Sequence, residues 1–178
     1  GYSPTLSHRE LGEEDDLAQT ELEARRIGAM LSEAGINWNL APVVDVALNP
    51  LNRVIVQSGR AFSGDPERVT AHARAYLHGM RAAGILTTLK HFPGHGASAG
   101  DTHRGFVDVT GEAWPEMELL PYRVLIREGI VDAVMTAHVF NRTLDPNYPA
   151  TLSPATIQGL LRQELGFEGV VVSDDLLM

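Results

Sequence analysis

The chain has 178 residues, 44% of them apolar, with a net charge of −9 and a pI near 5.2. That is enough apolar material for one ordinary domain with a core. The acidic balance without a basic cluster argues against nucleic acid, no apolar run approaches the ~20 residues of a membrane crossing, and the absence of cysteine removes disulfides and thiolate-bound metals while leaving the compartment open.

Residues 1–12, with Pro4, Ser7 and Gly12, read as loop. The spacing predicts a helix over 13–34, with Leu17, Ala24, Ile27, Met30, Leu31 and Ala34 on one face. Glu13, Glu14, Asp15 and Asp16 suit the positive end of its dipole, and Gly35 suits its end. Residues 36–46 (INWNLAPVVDV) read as a strand ending near Asp45, although Pro42 weakens it. A loop over 49–64 contains Arg53, Arg60 and Ser63. Asp65-Pro66-Glu67 then starts a helix running to about Ala83, stopped by Gly84.

Residues 85–89 are a strand, and the segment after it, 90–104, reads KHFPGHGASAGDTHR. A helix is expected over 119–128, with Pro121 near its start and Gly129 past its end. Residues 131–139 form a strand carrying His138. Ser153-Pro154 opens a helix through Ile157, Leu160, Leu161 and Leu165, and Gly166 ends it. Residues 169–173 make a short apolar strand that delivers Asp174.

The order is α-β-α-β-α-β-α-β, which implies a parallel sheet with crossover helices and strands buried on both faces. A doubly wound sheet and a (β/α)8 barrel both fit it. Polar groups sit where each strand ends: Asp45, Lys90 with His91, His138, and Asp174 with Asp175. Ligands bind at that edge in parallel α/β folds. No dinucleotide-binding or Walker pattern follows a strand.

Three chemistries fit these residues. In the first, Asp174 is a rigidly held carboxylate that attacks an electrophilic carbon. Asp101 and His103, two apart in a loop, form a proton-donating pair, and Arg60, Lys90 and His91 donate to substrate oxygens. The plainer alternative makes Asp101 and His103 solvated and Asp174 a helix cap. In the second, His91, His95, Asp101, His103 and His138 bind a metal, although His91 and His95 are separated by Pro93-Gly94 and no zinc-protease motif occurs. The plainer alternative makes His138 a core or pocket-wall histidine bonded to backbone, and His8, His72 and His78 surface or packing residues. In the third, the chain only binds a carbohydrate or other small molecule, but aromatic content is 6%, with Trp38 in a strand and Trp114 before a helix, so no stacking platform for a sugar is visible.

Seven motifs carry a resemblance. They are NWNLAPVVDV (37–46), GRAFSGDP (59–66), LKHFPGHG (89–96), DTH (101–103), AVMTAHV (133–139), PATLSP (149–154) and LGFEGVVVSDDL (165–176). In this order they resemble the catalytic domain of glycoside hydrolase family 3, most closely its bacterial β-N-acetylglucosaminidase branch. The resemblance implies a (β/α)8 TIM-type barrel and a retaining mechanism, with residues 1–178 belonging to a single catalytic barrel domain. It maps the nucleophile to Asp174 and not Asp175, and the acid/base pair to Asp101 and His103, a departure from the two-carboxylate scheme. It maps sugar binding to Arg60, Lys90 and His91.

It further implies a carbohydrate substrate with a terminal GlcNAc, a muropeptide or chitooligosaccharide, handled in peptidoglycan recycling in the cytoplasm. No cofactor, metal, nucleic acid or membrane is expected. Relatives carry an upstream D-Q-E-G-G-type segment that this sequence lacks, and many place an aspartate directly after GHG, where this chain has Ala97. About four of eight strands are recognisable, and the chain starts Gly1-Tyr2-Ser3-Pro4 and stops at Met178. The expectation is therefore an internal fragment, about half a barrel, which by itself self-associates and turns over little or nothing.

Overall fold

The computed structural model describes residues 4–112 and 115–177. Its first helix, α1 (His8–Glu14), falls where the sequence reads as loop. The cause is a capping box. Ser7 accepts from the Glu10 N–H, and the Glu10 carboxylate accepts from the Ser7 N–H at 2.7 Å. Asp15 ends α1 at φ 54°, and Asp16 caps α2 (Leu17–Glu33) by accepting from Ala18 and Gln19. The acidic run therefore divides two helices and does not open one. Leu17, assigned to the apolar face, is 44% exposed. The buried stripe of α2 is Thr20, Glu23, Ala24 and Gly28.

Residues 36–46 run parallel to β1 (Thr88–Phe92) but meet it as separate bridges, Trp38 to Leu86 and Val43 to Lys90, and do not form a continuous ladder. Pro42, in a cis peptide, has no N–H to give; the Thr88 N–H reaches the Ala41 carbonyl at 2.9 Å and the Val44 N–H reaches the Lys90 carbonyl at 2.8 Å. The helix between them, α3 (Pro66–Ala82), starts as expected, with the Asp65 carboxylate accepting from the Glu67 N–H.

After β1 comes a short parallel pair absent from the sequence reading, β2 (Val107–Asp108) with β4 (Val139–Phe140). Helix α4 (Pro115–Arg127) begins before the expected 119, so Pro121 lies inside it and not near its start. Trp114, expected just before it, lies outside the described residues. The strand expected over 131–139 splits into β3 (Ala133–Thr136) and β4, with His138 at the junction. Helix α5 (Ala155–Glu164) is wound with i→i+5 bonds, and β5 (Val170–Ser173) follows.

The sheet order is β1-β3-β5, all parallel, with residues 36–46 along the free side of β1. Within this sheet each strand neighbours the sheet strand that precedes it in the chain. A doubly wound sheet reverses direction at a switch point, and a barrel does not. The fold is of the TIM-barrel α/β type, and these strands form an open arc of it. Leu89 and Val134 point outward to the helices, where they pack with Val69, Met80, Tyr122 and Leu161 in the main core. Removing a buried leucine such as Leu89 costs about 2–5 kcal/mol. The strands are not uniformly buried: β3 is, but Val170 on β5 is 54% exposed and Leu86 is 50% exposed. None of the described helices is long and apolar enough to cross a membrane.

Candidate active site

The carboxyl ends of the strands converge on one cleft, lined by Val54, Arg60, Lys90, His91, His95, Thr102, His103 and Asp174. Five of the six residues picked from sequence line it. The sixth, Asp101, bonds to His103.

His91 is the centre of the buried half. It sits at the end of β1, after a cis Lys90–His91 peptide, and is 4% exposed. Its Nδ1 lies 2.7 Å from Asp45 Oδ2, and its Nε2 lies 3.2 Å from Arg60 Nη2. A guanidinium can only donate, so Nε2 accepts and Nδ1 carries the hydrogen donated to Asp45. Asp174 Oδ2 lies 3.7 Å from the same Nε2. Asp174 is fixed from behind, its N–H donating to the Thr136 carbonyl at 3.2 Å as β5 continues along β3.

Asp45 is fully buried and also accepts from the backbone N–H groups of His91 and His95, at 3.1 and 2.9 Å. Burial opposes its charge, but the contacts with His91 and His95 together hold the carboxyl below its usual range. Lys90 is half-buried; desolvation and then Arg60 lower its pKa, against the opposing pull of Asp174 and Asp45.

Arg60 comes from the loop over 49–64, and Asn52 shapes that loop. Asn52 Oδ1 accepts from the Val54 and Ile55 N–H groups, while Nδ2 donates to the His95 carbonyl at 2.7 Å. Arg60 Nη1 donates to the Val54 carbonyl at 3.2 Å. His8 stacks on Phe62 and meets the Arg60 carbonyl at 2.9 Å, and burial lowers its pKa to about 4.

The exposed half is the loop after β1. Asp101 Oδ1 accepts from the His103 N–H at 2.9 Å and lies 3.0 Å from His103 Nδ1. With Nδ1 on the carboxylate, Nε2 is on the far side of the ring, and the His103 side chain is 58% exposed. Slight burial raises the Asp101 pKa, but the bonds from His103, its charge and that of Arg104 outweigh this and lower it.

The histidines considered for a metal are engaged separately. His95 Nδ1 contacts Ser98 Oγ at 2.6 Å, and His138 contacts Thr151 Oγ1 at 2.8 Å and the Asp175 carbonyl at 3.0 Å. Among the described residues, no three His, Asp or Glu side chains come together as a metal site. His138 is half-buried and bonded to the Asp175 backbone, as in the plainer alternative, whereas His8 is half-buried against Phe62 and His72 is buried.

Two residues at the site had been given no role. Asp45 was visible only as a polar group ending an apolar strand. Glu118, on α4, accepts from the Ala97 and Val46 N–H groups at 2.8 and 3.3 Å, and burial then Asp45 raise its pKa to about 8. It belongs to a helix whose expected start lay after it.

Residues 6–178 match the glycosyl hydrolase family 3 N-terminal domain. The chain is 40% identical over 181 residues to a β-hexosaminidase of Methylococcus capsulatus, covering 98% of this chain and 52% of that protein. Its structure is similar to that of a family 3 β-N-acetylglucosaminidase from a Paenibacillus species, with a TM-score of 0.93 and 41% identity over 100% of this chain and 34% of the other. A β-glucoside phosphorylase is also similar, with a TM-score of 0.90 and 30% identity over 99% of this chain and 33% of the other. The chain thus spans about half the length of the M. capsulatus relative or less of these proteins.

Proposed function

This chain belongs to glycosyl hydrolase family 3, and on that premise we propose that it carries the catalytic centre of a retaining β-N-acetylglucosaminidase. The supporting observation is the single cleft that gathers Arg60, Lys90, His91, His103 and Asp174, with Asp101 bonded to His103. In this reading Asp174 attacks the anomeric carbon as His103 gives its proton to the departing oxygen, and the glycosidic C–O bond breaks. The same histidine then takes a proton from water, which attacks the anomeric carbon and releases Asp174. Asp101 holds the imidazole and stabilises its cation. Arg60 and Lys90 donate to the sugar's hydroxyl groups, and His91 Nε2, which carries no hydrogen while Nδ1 donates to Asp45, accepts from one of them once it turns from Arg60.

The substrate we propose is a terminal β-linked GlcNAc on a peptidoglycan-derived muropeptide or a chitooligosaccharide. A cytoplasmic location belongs to the same proposal and follows from the recycling role; fractionation of cells tests it. Assaying the full-length protein with aryl β-N-acetylglucosaminide and aryl β-glucoside tests the main reading. Preference for the glucoside would overturn the GlcNAc assignment. The similarity to a phosphorylase favours a second reading, transfer to phosphate. A histidine acid/base repels an anionic acceptor less than a carboxylate does. Addition of phosphate separates the two: a sugar 1-phosphate product establishes phosphorolysis.

A further inference from the structure

The acid/base loop leaves β1 through residues 93–98, and that root is gripped from two sides. On one side Asn52 donates to the His95 carbonyl, and the Asn49 N–H donates to the Gly96 carbonyl at 3.2 Å. On the other side stands a single side chain from α4. Glu118 is 4% exposed, and its two oxygens are divided between two pieces of backbone. Oε1 accepts from Ala97 in the loop root, and Oε2 accepts from Val46, next to Asp45.

The backbone is shaped to admit this carboxyl. Gly94 has φ +137°, and a Cβ there would lie 2.5 Å from Glu118 Cβ and 2.7 Å from its Oε2. A Cβ on Gly96 would lie 1.7 Å from the Val46 carbonyl oxygen. Loop root, strand end and helix are therefore in close backbone-to-side-chain contact at Gly94 and Gly96. Past this point the loop has lighter restraint, the Ala99 N–H donating to the exposed Glu112 at 3.0 Å.

We propose that Glu118 is the positioning residue of the acid/base loop, clamping its root at Ala97 to the strand end that carries Asp45. The proposal rests on the reading of Asp101 and His103 as the proton donor. Glu118 touches no substrate; it acts by setting where residue 97 stands, and hence where residues 101–103 can reach. The charged and titratable groups facing it are Asp45 from the strand end and Tyr122 from α4 itself. The loop root contributes His95, which also bonds Asp45. With Asp45 held ionised, Glu118 is favoured as the neutral acid.

The test is Glu118→Gln in the full-length protein. Both oxygens of the carboxyl keep a lone pair even when it is protonated, whereas the amide nitrogen has none to offer, so one backbone N–H loses its partner. A misplaced proton donor matters most when the leaving group needs the proton. Turnover of aryl N-acetylglucosaminides with poor leaving groups should fall by about 10- to 100-fold, and with good leaving groups by less than about threefold. Equal loss for both classes, or no loss, overturns the proposal. Amide exchange on the wild-type protein provides a second readout that does not depend on the variant folding. The Ala97 amide should exchange at least about tenfold more slowly than the Ala99 amide, and equal rates overturn the clamp. If the wild-type protein turns over no aryl N-acetylglucosaminide, the functional reading fails, while the exchange rates still decide the clamp.

Discussion

The two halves of the cleft are built differently. Asp45, His91 and Asp174 stand at strand ends, and Asp45 and His91 are nearly or fully buried. Their contacts reach 46 positions or more along the chain, from Asp45 to His91 and from His91 to Asp174. Asp101 and His103 are two positions apart and are held mainly by each other. One half is fixed by the sheet, so its geometry comes with the fold. The other rides on a loop, and its imidazole is 58% exposed. The sheet-fixed half suits nucleophilic attack and sugar binding, which need fixed distances. The exposed loop half suits a proton donor, which must let the substrate enter and the leaving group depart.

The sharpest way to break this contrast is at the sheet-fixed end. Asp174→Asn in the full-length protein should reduce hydrolysis of an aryl N-acetylglucosaminide on the order of 10⁴-fold or more. The fold should survive, because the Asp174 backbone keeps its bond to Thr136. Retained turnover removes Asp174 from the nucleophile role. At the loop end the loss should depend on the substrate. His103→Ala should cost about 10²- to 10⁴-fold with poor leaving groups and far less with good ones. Uniform loss across leaving groups would count against a proton donor.

A third prediction concerns pH and the residue between the halves. The Glu118 pKa is raised from 4.5 to about 8 by burial and by Asp45. A carboxyl whose pKa rises on folding binds its proton more tightly in the native state. Its share of stability is therefore full below about 4.5 and declines as pH rises through about 8. Thermal melts of the full-length protein between these limits should lose stability by a few kcal/mol at most, on the order of 1 kcal/mol per pH unit. Glu118→Gln has no proton to lose and should flatten that slope. An unchanged slope places the titration elsewhere.

The same division explains what could be read from the chain. Helix α3 and the place of Asp174 just after β5 were legible because apolar runs, an Asp-Pro start and glycine stops are local signals, whereas β1 runs over 88–92 and not 85–89, so Lys90 and His91 lie within the strand and not after it. Asp101 and His103 were legible as a pair because their contact spans two residues. Helix α1 was missed although its capping box is local, since its seven residues are too short for an apolar stripe to show. Pairing of Asp45 with His91, and of Glu118 with Ala97, spans distances over which no pattern in the sequence applies. The β2–β4 pair was invisible for the same reason, being two residues per strand joined across the fold.

The smallest effect is the most discriminating within the loop. Asp101 has two basic neighbours, His103 at 3.0 Å and Arg104 at 3.4 Å. If the loop works by charge alone, either neighbour serves. If it works by delivering a proton, only the imidazole does, because a guanidinium does not give up a proton near neutral pH. The Arg104 side chain is 79% exposed, and exposed pairs contribute little after screening by water and salt. Arg104→Ala should therefore change turnover of neutral aryl substrates by less than about threefold. Arg104 also helps lower the Asp101 pKa, so its removal should move the acidic limb of the rate profile slightly toward higher pH. A loss as large as that of His103→Ala would instead make the loop an electrostatic device. The proton would then have to come from another group lining the cleft.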